Sequence, residues 1–92
     1  MASKVKIGII GAGRIGQVHA QSLVYRLPQA DVIAVSDPLG EAAAQCAARF
    51  QIPMSTRSHR EIMDHPDIEA VIICSSTDTH TQLICEAAEA GK

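Results

Sequence analysis

The chain has 92 residues, 47% apolar and 20% charged, with a formal net charge of −2, which suits one small packed α/β core. Its two aromatic residues, Tyr25 and Phe50, give no stacking platform for bases, and the charge balance gives no basic field, so nucleic acid and anionic lipid are excluded as partners. The apolar runs are too short to span a membrane, Met1-Ala2-Ser3-Lys4 leaves no room for a signal peptide, and Cys46, Cys74 and Cys85, without CxxC spacing, read as free thiols of a reducing cytoplasmic compartment.

Taken in order, the chain alternates strand and helix. Val5–Ile10 is a nearly continuous apolar run, as a parallel strand covered on both faces requires. A first helix follows over about Arg14–Leu27, with Ile15, Val18, Ser22 and Leu23 at helical spacing toward the sheet, and Pro28 marks its end. The second strand is Asp31–Ser36, closed by Asp37-Pro38. The second helix is Leu39–Phe50, packing Ala43, Ala47 and Phe50. A short third strand covers Met54–Thr56. Ser58 and Glu61 then fit a capping box at the start of a brief helix, His59–Asp64. The fourth strand is Ala70–Ser75. The fourth helix is Thr79–Ala90, with Leu83, Ile84, Ala87 and Ala88 as its apolar stripe and Gly91 as its C′ residue.

This βαβαβαβα alternation predicts a Rossmann-like parallel sheet with right-handed crossovers and helices on both faces, and for a dinucleotide-binding fold its order would be 3-2-1-4. Residues 1–92 are expected to form a single dinucleotide-binding domain that is incomplete, because a fifth strand would normally follow the fourth helix. Strand 4 is then an open edge with apolar faces, at which two copies could pair as a homodimer.

The stretch between the first strand and first helix carries the chemistry. Gly11, Gly13 and Gly16 fit G-x-G-x-x-G in the strand–turn–helix setting that gives the pattern meaning. Gly11 allows the sharp turn, Gly13 leaves the backbone open to a pyrophosphate, and Gly16 lets the helix approach the sheet. The whole segment Gly11, Ala12, Gly13, Arg14, Ile15 and Gly16 is therefore the expected cofactor loop, with the helix N-terminus offering N–H groups to phosphate. The Arg14 side chain reads equally as a ligand contact or a solvated surface group. Asp37 ends the second strand 21 positions after Gly16, where a carboxylate accepts from ribose hydroxyls and repels a 2′-phosphate. That favours NAD as the cofactor, and capping of the second helix is compatible with it. Ser75, Ser76 and Thr77 follow strand 4 at the carboxyl edge of the sheet, so they read as further cofactor contacts or as turn and capping residues. His80 reads as structural, His19 as a packing residue, and His59 and His65 as exposed. The spacing of Cys74, His80 and Cys85 matches no closed zinc pattern, and no metal site is expected.

In these residues the chain resembles the N-terminal part of the Gfo/Idh/MocA oxidoreductase family, its inositol 2-dehydrogenases most of all. The resemblance is carried by Ile7 to Gly16 with His19-Ala20, by Val35-Ser36-Asp37-Pro38, by Asp67 to Ser76 with His80, and by Ala87-Ala88-Glu89-Ala90-Gly91-Lys92. It implies an NAD(P)-dependent dehydrogenase of polyols or sugars. It also implies that the catalytic lysine of a Glu-Lys-Pro motif, a later Asp and His, and a substrate-holding second domain belong to sequence beyond that seen here. Lys92 directly follows the helix-ending glycine and does not match that lysine. No catalytic residue is therefore assigned within the chain, and turnover by the chain alone is not expected. Two rival readings are a non-catalytic module that assembles through strand 4 or helix 4, and a Rossmann-like domain for another nucleotide such as S-adenosylmethionine.

Overall fold

β1 (Val5–Ile10) is the strand on which everything else is laid, with a neighbour on each side and helices above and below. A computed structural model describes residues 4–74 and 77–92, the backbone alone for 77–81. The elements after β1 are α1 (Arg14–Arg26), β2 (Ala30–Ser36), α2 (Gly40–Phe50), β3 (Met54–Thr56), α3 (His59–Met63), β4 (Ala70–Ile73) and α4 (Thr77–Glu89). Among the described residues the strands form one parallel sheet in the order β3-β2-β1-β4, the order expected of a dinucleotide-binding fold. β4 is shorter than expected, and its predicted end at Ser75 lies outside the described residues.

The two faces of the sheet carry separate cores. On one, Ile7 and Ile9 of β1 and Val32 and Val35 of β2 meet Ala20 and Leu23 of α1 and Cys46, Ala47 and Phe50 of α2. On the other, Ile10 and Ala34 meet Ile62 and Met63 of α3 and Leu83 and Ala87 of α4. Val32 and Val35 reach the same side although they are an odd number of positions apart. The pairing of β1 with β2 jumps from Ile7↔Val32 to Gly8↔Ala34, so Ile33 is an extra residue that shifts the pleat by one. Gly8 serves the second face: a Cβ there would stand 2.5 Å from Cγ2 of Ile62, so the missing side chain lets α3 close on the sheet.

Several local expectations need correction. Ile15 and Val18 do not face the sheet; they are 60% and 54% exposed. The buried stripe of α1 is Gly16, Ala20 and Leu23, because the helix is rotated to bring Gly16 against the loop before it. The capping box is only half made. The Ser58 hydroxyl accepts from Arg60 N–H (3.2 Å), but the Glu61 carboxylate binds the Thr56 hydroxyl instead of reaching back to Ser58. The Ser58 N–H instead donates to Thr56 Oγ1 at 3.1 Å. In α4, Leu83 and Ala87 are buried whereas Ile84 and Ala88 are exposed. The end of α4 is closed as expected: Gly91 has φ 79°, its N–H donates to Ala88 O, and Lys92 N–H donates to Ala87 O.

Candidate functional site

The carboxyl ends of the strands converge on one edge, and the loops leaving them build a groove of about 430 Å³. β1 leaves through Gly11, whose φ of 105° is open to glycine and strained for other residues. The Gly11 N–H donates to Ser36 O at 2.7 Å, fixing the loop to the end of β2. α1 starts one turn later. Its first helical bond runs from Gln17 N–H to Gly13 O (3.0 Å), so the N–H groups of Arg14, Ile15 and Gly16 precede the helical ladder. No side chain caps this end and no acidic residue stands in its first turn, which leaves the positive end of the helix dipole without a partner of its own.

The second and third glycines of the motif separate cleanly. A Cβ at Gly16 would run into the carbonyl of Gly11, so the fold itself demands glycine there. A Cβ at Gly13 would meet nothing within 4 Å, and the backbone there is ordinary extended chain at φ −74°. Folding does not need glycine at position 13. The space it leaves lies on the groove, over the loop, where a bulky anion can approach backbone N–H groups.

Asp37 stands opposite, just past β2. Its Oδ2 accepts from Ala12 N–H and its Oδ1 from Leu39 N–H, both at 2.9 Å. One carboxylate thus ties the glycine loop to the turn before α2, but the predicted capping of α2 is not made: Leu39 is its N-cap residue and no side chain caps that end. A carboxylate has about four acceptor positions, so roughly two remain for hydroxyl donors from the groove.

The rest of the wall was not read from the sequence as a binding surface. Arg57 directly follows β3, His59 opens α3, Cys74 directly follows β4, and Gln82 and Leu83 come from α4. The available signal was topological, since whatever directly follows a strand of a parallel sheet comes to this edge. His59 corrects its expected exposure: it is half-buried, and Nε2 lies 3.2 Å from a Glu86 carboxylate oxygen. Arg60 Nη1 donates to the same carboxylate at 3.1 Å, so Glu86 fastens α3 to α4. His65 is likewise half-buried, with Nδ1 accepting from Asp67 N–H, whereas His19 is exposed and not a packing residue. Burial pushes the Cys74 thiol above its usual range, so it stays protonated at neutral pH.

Of the predicted contacts, Gly11, Gly13 and Asp37 line the groove, and Ala12 is buried beneath it while lending its N–H to Asp37. The Arg14 side chain is not brought there; it lines a separate cleft between α1 and α2 with Gln17 and Arg49. The Ile15 side chain is exposed and Gly16 is buried against Gly11. Ser75 and Ser76 lie outside the described residues, and Thr77 is placed only by its backbone, as the first residue of α4. Lys92 is remote from this edge: Nζ donates to His65 O (3.0 Å) and Ile68 O (2.5 Å), before β4 begins.

A parallel sheet of order 3-2-1-4, a glycine turn into a helix and an acidic residue past β2 define a dinucleotide-binding Rossmann fold. The chain belongs to the GFO_IDH_MocA oxidoreductase family with the NAD-binding Rossmann fold, whose model matches residues 5–92. It is 39% identical over 92 residues to a scyllo-inositol 2-dehydrogenase (NAD(+)) of Bacillus subtilis, covering all of this chain and 27% of that one. It is 42% identical over 88 residues to an inositol 2-dehydrogenase of Rhizobium meliloti, covering 96% of this chain and 26% of that one. The crystal structure of scyllo-inositol dehydrogenase from Lactobacillus casei, with bound NAD(H) and scyllo-inositol, superposes with a TM-score of 0.91 at 29% identity, over 98% of this chain and 26% of that chain. The chain therefore spans about a quarter of the length of these relatives. No helix among the described residues is long and apolar enough to cross a membrane.

Proposed function

We propose that this chain is the NAD-binding portion of an NAD-dependent dehydrogenase that oxidises a carbinol of an inositol-like polyol or sugar. The observation that carries this reading is the pairing of Gly13 with Asp37 across one groove: a position open to pyrophosphate faces a carboxylate placed for ribose hydroxyls. The N–H groups of Arg14, Ile15 and Gly16 would receive the phosphates, and Ala12 would hold Asp37 in place. Ser75, Ser76 and Thr77, which follow β4 in the sequence, would contact the central part of the cofactor. Asp37 favours NAD over the 2′-phosphorylated dinucleotide. The nicotinamide, when bound, supplies the hydride-accepting carbon. This chain's residues bind and orient it, and we assign no catalytic residue among them. We place the protein in the cytoplasm, a reading supported by three free thiols.

The experiment is a calorimetric titration of the chain with NAD, with Asp37→Ala as comparison. Saturable binding that the substitution weakens supports the reading. A folded chain that does not bind, or binds identically without Asp37, overturns it.

A second reading concerns assembly. β4 has β1 as its only strand neighbour among the described residues, and its four residues are half-buried. We propose that two copies pair along this edge. Sedimentation equilibrium of the chain, with Val71→Lys as comparison, tests it: a dimer that the substitution dissociates supports pairing, and a monomer at all concentrations overturns it.

A further inference from the structure

The guanidinium of Arg57 shares the corner that Asp37 occupies. Backbone pairing brings it there: Asp37 N–H donates to Thr56 O at 3.1 Å, so the residue after β3 lies beside the residue after β2. Arg57 lines the main groove with Asp37 and Pro38. It also lines the adjoining cleft over the first turn of α2, with Leu39, Gly40 and Glu41. Pro38 and Arg57 border both spaces.

Gly40 makes this position possible. A Cβ at residue 40 would stand 2.5 Å from Arg57 Nε and 2.9 Å from Cγ, so the arginine stem lies where any other residue would put its side chain. Among the described residues Arg57 has no carboxylate within ion-pair distance. The two Asp37 oxygens are held instead by Ala12 and Leu39 N–H. The neighbouring end of α2 lacks a side-chain cap, and a cation beside a helix N-terminus is unfavourable unless negative charge stands nearby. Glu41 and Asp37 supply part of that charge without contacting the guanidinium. The corner therefore keeps a cation whose strong, planar hydrogen-bonding fork has no partner among the described residues, next to a carboxylate whose geometry is fixed.

We propose that Arg57 is a second determinant of cofactor choice, acting against Asp37. Asp37 accepts from the ribose hydroxyls of NAD, while Arg57 gives the same corner affinity for the 2′-phosphate of NADP. The preference for NAD is then the difference of two opposed residues, and removing either one moves it in a known direction. This inference rests on the NAD-binding reading above.

The test measures dissociation constants for NAD and NADP with the wild-type chain, Arg57→Met, Asp37→Ala and the double variant, each checked for folding by thermal melt. Arg57 is exposed, so its substitution leaves the core intact. Arg57→Met is expected to weaken NADP about tenfold and NAD less than about threefold. Asp37→Ala is expected to strengthen NADP only while Arg57 is present. Equal effects of Arg57→Met on both dinucleotides, or an NADP gain in Asp37→Ala that survives loss of Arg57, overturn the proposal and leave NAD binding standing. Failure of the folded wild-type chain to bind either dinucleotide overturns both.

Discussion

Substituting alanine for glycine at positions 13 and 16 separates ligand recognition from folding. At position 13 the new methyl enters space with nothing within 4 Å, and φ of −74° suits any residue. Reduced freedom of the unfolded chain favours alanine by about 0.4–1 kcal/mol. Loss of glycine from the N-cap opposes it by a similar amount, on the order of 0.5 kcal/mol. The net change in stability of Gly13→Ala is thus expected within about 0.5 kcal/mol. Binding should respond very differently. A methyl over the loop holds a pyrophosphate off the N–H groups of Arg14 to Gly16, and losing a charge-assisted hydrogen bond costs about 1.5–3 kcal/mol, or about 10- to 150-fold in affinity. At position 16 the methyl collides with the Gly11 carbonyl, and separating α1 from β1 should cost more than about 2 kcal/mol. Urea unfolding and NAD titration of both variants give the four numbers required. A Gly13→Ala chain that binds NAD as tightly as wild type, or that unfolds as readily as Gly16→Ala, refutes the reasoning.

Three further outcomes are expected. Asp37→Asn leaves one of the Ala12 and Leu39 N–H groups facing an amide NH₂; the urea midpoint should fall by the equivalent of about 1–2 kcal/mol, with NAD weakened as well. Ile9→Ala empties the centre of the sheet, where Ile9 is 0% exposed, and should cost about 3–4 kcal/mol by the same assay. Burial pushes the Cys46 thiol above 9.0, with Arg49 pulling it back by less. A group whose pKa is higher in the folded state contributes its full stability below the unfolded pKa and loses it as pH rises through the folded one. Urea midpoints followed from neutral pH to about pH 10 should therefore fall more steeply in wild type than in Cys46→Ala.

The strands and the placing of Gly11, Gly13 and Asp37 on one edge were legible because each rests on a local pattern: continuous apolar runs, a glycine turn, an acid after a strand; the sheet order followed from the dinucleotide fold that the glycine turn implies. The rotation of α1 was not. Ile15 and Val18 have the chemistry of core residues, yet a backbone contact between Gly16 and Gly11 decides which side of the helix faces inward. The extra residue at Ile33 and the close approach of Ile62 to Gly8 were hidden for the same reason, since both are set by how neighbouring elements fit rather than by either alone. Arg57 and His59 reach the groove because β3 ends beside β2. A three-residue strand carries too little pattern to announce its register.

The central position of β1 has a consequence for synthesis. It leaves the ribosome before the other described elements, yet its partner β4 pairs through Ile7↔Ala70, and Lys6 N–H finds the Glu69 carboxylate 63 positions later. At ordinary elongation rates that interval is about 3–13 s. During it, the six residues Val5–Ile10 form an apolar strand with one edge unpaired and one face uncovered. The strand that leads into the glycine loop is thus also the one in greatest need of shelter while the chain is being made.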